Sequence, residues 1–296
     1  MMSDSLRIRS LSEDDLPFAD SLRAVAGWNQ TPADWLRFLR LEPEGCFVAE
    51  WNRSPVGTAT TLVHGPELAW IGMVLVLPEH RNRGIGRALL VHAIEHLQRR
   101  GIGCIRLDAT PLGLPVYQRL GFRREESLVR WEHPAWTPGH ATRPTDTLQP
   151  RMPTIQPSDL TSEGPLIHLE TRAFGIPRLR LLTELVGSST VTCLRNDRHG
   201  KILGYGYLRS GALADYLGPA VAVDDGTTSM IAEALLEHAS GHRVFWDIPA
   251  ASAGATRWAV EHGFRRQREL TRMSLGPTPT AGEPGLQMAL SGPETG

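Results

Sequence analysis

The sequence predicts an α/β protein with mixed α+β sheets, arranged as tandem three-layer domains. Three observations carry this. The chain has 296 residues, more than one hydrophobic core usually serves. Strand-like runs are mixed with a few crossing helices rather than alternating strictly with them, which suits a mixed sheet. The two halves also repeat each other. Leu217-Gly218-Pro219-Ala220-Val221-Ala222-Val223 parallels Ile71-Gly72-Met73-Val74-Leu75-Val76-Leu77, and the ten residues Gly263 to Arg272 run without a gap beside Gly121 to Arg130.

The elements of the first half follow from apolar spacing and turn residues. A short strand is expected near Leu6 to Arg9, helices at Leu16 to Ala26 and Pro32 to Leu41, and strands at Cys46 to Trp51, Val56 to Val63 and Leu68 to Leu77. A helix then runs to about Arg100 with Leu89, Leu90, Ala93, Ile94 and Leu97 at helical spacing. After Gly101-Ile102-Gly103 come a strand at Cys104 to Ala109, a short helix around Tyr117, and a last strand from Phe122 toward Trp131. Pro134, Pro138, Pro144, Pro150 and Pro153 stand among polar residues without periodicity, which reads as a linker. The expected division is therefore a domain at 1–133, a linker at 134–153, a second domain at 154–276, and a disordered tail at 277–296 that is rich in Pro, Gly and Thr.

Composition narrows the function. With 31 basic and 32 acidic residues the chain is nearly neutral, so no general attraction to nucleic acid or an anionic membrane is expected. No run approaches a membrane span, and Met1-Met2-Ser3-Asp4-Ser5 lacks the regions of a signal peptide, which points to the cytoplasm. Cys46, Cys104 and Cys193 are far apart in apolar surroundings and read as buried small hydrophobes. His92-Ala93-Ile94-Glu95-His96 matches an inverted zinc-protease pattern. Its histidines fall opposite Leu89, Leu90, Ala93 and Leu97, where a solvated polar stripe is expected, and no third ligand is signalled, so no metal is expected.

The chemistry concentrates in residues 74–90. A buried-looking strand stops at Pro78, and a glycine-punctuated loop opens into an amphipathic helix. Gly84 and Gly86 carry no side chain, so backbone N–H groups from about Arg83 to Arg87 can turn toward one anion while the helix N-terminus adds partial positive charge. Arg81, Arg83 and Arg87 surround the same point. Neither a P-loop nor a dinucleotide fingerprint fits: no Gly-Lys-Ser or Gly-Lys-Thr follows, and Leu89 stands where the third glycine would be.

Arg81-Asn82-Arg83-Gly84-Ile85-Gly86 resembles the Arg/Gln-x-x-Gly-x-Gly/Ala signature of the GNAT superfamily of acyl-CoA-dependent N-acyltransferases. Tyr117-Gln118-Arg119-Leu120-Gly121-Phe122 is similar to that family's Tyr-x-x-x-Gly-Phe element. The resemblance implies a cytoplasmic acetyl-CoA-dependent N-acetyltransferase, with Arg81, Asn82, Arg83, Gly84, Ile85, Gly86 and Arg87 holding the pyrophosphate. It implies that the backbone at Val74, Leu75 and Val76 serves the pantetheine and thioester, and that Tyr117 protonates the leaving thiolate. A tyrosine near pKa 10 keeps its proton at rest beside a thiol near 8.5.

Glu67, just before the cradle strand, is the candidate base working through water, with His64 three residues earlier; either could equally be a turn residue. Trp28 and Asn29, in Trp28-Asn29-Gln30, are where the resemblance puts acceptor recognition, although Trp28 could simply close the core. Asp108 could bind a cationic amine or act as a structural acceptor, and its counterpart Asp247 weakens the first role. In the repeat register Gly84 and Gly86 fall opposite Met230 and Ala232, Arg81 opposite Thr227, and Tyr117 opposite Ala259. The second half thus resembles a degenerate GNAT-like domain. The expected partner is a small-molecule amine, with no nucleic acid and no membrane, and a homodimer stays open. The alternatives are acetylation of a protein N-terminus or lysine, or a non-catalytic acyl-CoA-binding regulatory protein.

Overall fold

A computed structural model describes residues 5–137, 155–196, 201–279 and 282–296. The chain divides into two compact units, but not at one point along the sequence. The first takes Met1–Glu125, Thr271–Pro279 and Pro293–Gly296; the second takes Glu126–Leu270 and Thr280–Gly292.

The first unit contains β1 (Leu6–Ser10), α1 (Leu16–Val25), α2 (Pro32–Leu41), β2 (Cys46–Trp51), β3 (Ser54–His64), β4 (Leu68–Val76), α3 (Ile85–Arg99), β5 (Cys104–Ala109) and α4 (Leu114–Arg119). Local signals set these limits. At the start of α2, Thr31 and Asp34 form a capping box with Pro32 inside it, so the first backbone donors are satisfied where the helix begins. The side chains of α3 that recur at helical spacing, Leu89, Leu90, Ala93 and Leu97, pack on Ala69, Ile71, Ile105 and Leu107 of the sheet. Each such leucine contributes about 1.5–3 kcal/mol by leaving water.

The chain continues with β6 (Arg123–His133), α5 (Pro165–Phe174), α6 (Leu179–Val186), β7 (Thr190–Asn196), β8 (Lys201–Arg209), β9 (Asp215–Ala222), α7 (Asp225–Leu236), β10 (Val244–Pro249), α8 (Ala253–Glu261), β11 (Arg265–Leu275) and β12 (Gln287–Ala289). In the second unit the sheet runs β6-β10-β9-β8-β7, with β12 beside β9. In the first unit the order is β1-β2-β3-β4-β5-β11. Both sheets are mixed: β4 pairs with β5 and β9 with β10 in parallel, and the remaining neighbours are antiparallel.

The assignment of β6 and β11 differs from the expected contiguous domains. Thr271–Leu275 of β11 pairs with Ala109–Ile105 of β5, so the first sheet is completed by a strand from the second half of the sequence. Reciprocally, Leu128–His133 of β6 pairs with Pro249–Val244 of β10. The buried ion pairs follow the exchange. Arg272 clamps Asp108 with two hydrogen bonds of 3.0 and 3.1 Å, and Arg130 clamps Asp247 at 2.8 and 2.6 Å. Arg272 lies over the Trp70 ring and Arg130 over the Tyr216 ring, the same arrangement in both units. Burial alone would raise the Asp247 carboxyl, but the Arg130 charge and hydrogen bonds hold it below the usual carboxylate range.

Two other expectations are corrected. The tail is ordered chain from residue 282 onward: Gln287 and Ala289 pair with Val221 and Ala220, and Ser291, Glu294 and Thr295 are buried. Of the expected linker, residues 138–153 lie outside the described residues, whereas Trp136 is buried and stacks on Trp258 at 6.0 Å. His92 and His96 do not form a solvated stripe. Both set their rings edge-on to Phe47, at 4.7 and 5.3 Å, and burial lowers both pKa values. Among the described residues, no group of three or more His, Cys, Asp or Glu could hold a metal, and no helix is long and apolar enough to cross a membrane.

Candidate active site

Strand β4 changes character at its middle. Thr58 lies opposite Leu75 and Thr60 opposite Gly72, so Met73 and Val74 together face Ala59: a β-bulge with one extra residue. Met73 has a left-handed φ of 50°, and the Thr58 hydroxyl donates to its carbonyl at 2.8 Å, which fixes the distortion. On the other edge, β4 pairs with β5 only from Leu68/Cys104 to Trp70/Arg106. Beyond that point β5 continues to Ala109 against β11, while among the described residues Ile71–Val76 has no ladder partner on the β5 side. A parallel pair that parts beside a bulge leaves backbone N–H and C=O groups along Val74, Leu75 and Val76 for a ligand.

The cradle stands at the far end of β4. His80 and Arg81 donate their N–H groups to Leu77 and Pro78, turning the chain, and Asn82 and Gly84 take left-handed φ values of 61° and 81°. Gly84 caps α3, and Ala88 closes the first intrahelical bond on its carbonyl at 2.9 Å. The N–H groups of Ile85, Gly86 and Arg87 therefore belong to the first turn, which offers no intrahelical acceptor. Arg81, Asn82, Arg83, Gly84 and Arg87 are exposed. Arg81 donates from Nε to the Val76 carbonyl at 3.1 Å, and Arg83 lies 5.7 Å from the Trp51 ring centre. Gly84 is glycine for its backbone conformation, since a Cβ there meets nothing within 4 Å.

Tyr117, on α4, packs against the same apolar cluster as α3, with the Phe122 ring edge-on at 6.1 Å. Burial pushes its hydroxyl up to about 12. Glu67 is exposed in the turn before β4, and its carbonyl accepts from the Cys104 N–H. Five strand residues, Leu68 to Gly72, separate it from the bulge, a span of about 20 Å, so it is not gathered with the other groups.

The opposite face of the sheet carries Trp70, Gly72, Asp108 and Arg272, with α1 packed on β3 and β4. Asn29 is buried in the α1–α2 connection beside half-buried Trp28, whose carbonyl accepts from Arg23. Asp108 is engaged by Arg272. The C-terminal residues Pro293, Glu294 and Thr295, which sequence reasoning missed, complete this face. The Trp70 indole N–H donates to the Pro293 carbonyl at 3.2 Å, His64 Nε2 and the Thr295 carbonyl lie 2.9 Å apart, and Gln30 Nε2 donates to the Glu294 carboxylate at 2.7 Å. A Cβ at Gly72 would sit 2.7 Å from the Glu294 carbonyl oxygen. A glycine inside a strand was the available signal for both the bulge and this close approach.

The corresponding place in the second unit is closed to an anion. Asp224 caps α7, its carboxylate accepting from the Thr227 N–H at 2.7 Å, and Asp225 follows in the first turn. The Asp224 carboxylate thus takes a backbone donor of the first turn that a phosphate would use, and the Asp225 carboxylate, paired with Arg257, adds negative charge beside it. Ala259, opposite Tyr117 in the repeat, is fully buried in α8.

Comparison with known proteins places both halves in one family. Residues 8–122 match the model of the acetyltransferase (GNAT) family, and residues 166–285 match an acetyltransferase (GNAT) domain model. An uncharacterized N-acetyltransferase of Bacillus subtilis, YitH, is 26% identical over 202 residues, 68% of each chain. Holothin acyltransferase of a Pseudoalteromonas species is 24% identical over 85% of this chain and 82% of its own. A Pyrococcus horikoshii protein classed as an acetyltransferase shares the fold, with a TM-score of 0.81 at 21% identity, covering 98% of this chain and 96% of that one.

Proposed function

The chain belongs to the acetyltransferase (GNAT) family and carries two domains of that kind, and from that premise we propose that its first unit moves an acetyl group from acetyl-CoA directly to the primary amine of a small molecule. The observation that carries this reading is the parting of β4 from β5 beside the Met73 bulge, with the first turn of α3 at one end and Tyr117 on the neighbouring α4. The pyrophosphate sits on the N–H groups of Gly84, Ile85, Gly86 and Arg87, assisted by the exposed Arg81, Arg83 and Arg87 side chains. Pantetheine runs along the free edge of β4 as an added strand would, its amides meeting Val74, Leu75 and Val76. The same fixed N–H groups polarise the thioester carbonyl and steady the oxyanion that forms when the amine attacks.

The unprotonated amine forms its C–N bond as the C–S bond breaks; the nitrogen gives up one proton to water, and the sulfur, as negative charge collects on it, takes the Tyr117 proton, which the phenolate regains from water. A hydroxyl held near 12 does not ionise at neutral pH, so the donor is always loaded. Because that proton is held more tightly than a thiol's, Tyr117 stabilises the departing sulfur by hydrogen bonding while cleavage proceeds and does not surrender the proton ahead of it. Holothin acyltransferase, named for its acceptor, supports a small-molecule substrate. The second unit is not a second catalyst in this reading, because Asp224 and Asp225 guard its equivalent helix.

Calorimetric titration of acetyl-CoA tests the assignment. Wild-type protein binds and Gly84→Val does not, and wild type then releases CoA in the presence of a primary amine. No binding by wild type, or equal binding by both, would show the cradle to be vestigial.

A further inference from the structure

The bulge in β4 depends on a residue in β3. Met73 holds a φ of 50°, a conformation that is strained for any residue with a Cβ and that falls to glycine at many bulges. A residue in such a conformation persists only where its surroundings fix it. Thr58 does so here: its side chain is fully buried, and its hydroxyl donates to the Met73 carbonyl at 2.8 Å. Valine would fill the same space with no polar atom to satisfy. A buried hydroxyl is tolerated only where it finds a partner, so what threonine adds at this position is the bond to Met73.

Across a trans peptide the C=O and the following N–H point in opposite directions. Among the described residues the cis bond is Gly218–Pro219, so the Met73–Val74 peptide is trans. With the Met73 carbonyl turned to Thr58 on the β3 side, the Val74 N–H is turned the other way, to the edge of β4 that β5 has left. We propose that Thr58 is a positioning residue for acetyl transfer, its hydroxyl holding the Met73–Val74 peptide so that the Val74 N–H points at the thioester carbonyl. The proposal rests on the acetyl-transfer reading above and names what orients one of its donors. A donor fixed before the substrate arrives needs no reorganisation as charge develops on the carbonyl oxygen, and loss of one such donor lowers turnover by about 100–1000-fold. Thr58 is buried within the sheet and acts only through this peptide.

The test uses the full chain with acetyl-CoA carrying carbon-13 at the acetyl carbonyl, and compares wild type, Thr58→Val and Thr58→Ser. The infrared carbonyl stretch of the bound thioester reports how strongly it is polarised, without any acceptor. The expected band lies below that of free acetyl-CoA in wild type and Thr58→Ser, and returns toward the free value in Thr58→Val. With n-butylamine as acceptor, kcat should fall at least about tenfold in Thr58→Val, with calorimetric acetyl-CoA affinity within about threefold, and Thr58→Ser should restore it. A band in Thr58→Val equal to that of wild type overturns the proposal, because β4 then aims the Val74 N–H unaided. So does a band in Thr58→Ser equal to that of Thr58→Val. If n-butylamine is not acetylated, the band alone decides; if melting shows Thr58→Val to be unfolded, Thr58→Ala takes its place. Wild type that fails to bind acetyl-CoA, or binds it without lowering the band, is a distinct result: it removes the reading of the β4 edge, and this proposal with it.

Discussion

Replacing Arg272 with methionine keeps most of its volume and removes its charge while Asp108 stays in place. The Asp108 side chain is fully buried and that of Arg272 is 3% exposed, with both carboxylate oxygens engaged by the guanidinium. Water cannot take over as counter-charge, so the variant strands a buried carboxylate. Breaking one side of such a pair costs about 3–5 kcal/mol, a large share of the roughly 5–15 kcal/mol that holds a domain folded. At about 2–4 °C per kcal/mol, the melting temperature falls by roughly 6–20 °C. The double variant Asp108→Asn/Arg272→Met recovers most of this, because removing both charges removes the penalty. Urea unfolding followed by circular dichroism, with the m-value checked for constancy, measures the difference. A loss below about 1 kcal/mol, or a double variant no better than the single one, would refute the reasoning. Arg130→Met should behave in the same way toward Asp247 in the second unit.

Tyr117→Phe should lower kcat by about 100-fold while leaving acetyl-CoA affinity intact; comparison of kcat with calorimetric Kd separates the two effects. Gly84→Val forces a β-branched residue to a φ of 81°, so acetyl-CoA affinity should drop at least about tenfold with little change in the melting curve of the remaining fold. His92 and His96 have folded pKa values below the ordinary 6.5, chiefly through burial. The unfolded chain therefore binds their protons more readily, so stability is full above about pH 6.5 and is lost as pH falls through their lowered values. The double variant His92→Leu/His96→Leu should flatten stability between about pH 7 and 5; a slope equal to that of wild type would refute the assignment.

Much of the fold was legible because local signals agreed with tertiary demands. The α3 spacing, the Thr31–Asp34 box and the Gly84 loop each pointed to the structure that forms. The strand exchange was not legible, for a physical reason. Gly121–Arg130 and Gly263–Arg272 are near copies with the same pattern of apolar and charged residues, so either strand satisfies either sheet edge by pairing and by its terminal arginine. The tail was misread because Pro, Gly and Thr outweighed the apolar run Leu286 to Leu290, whose Met288, Ala289 and Leu290 are buried. Glu67 drew attention by its position before β4, while the bulge in that strand left only a glycine as its trace.

The crossed strands also bear on how such a gene can change over generations. A frameshift or stop codon that removed the second half would leave the first with an aspartate deprived of its arginine and a sheet lacking its last strand. Selection on acetyl transfer alone is then enough to retain the second half. On the proposed reading, the half without the acetyl-transfer site still supplies one strand and one arginine that the sheet of the other half requires.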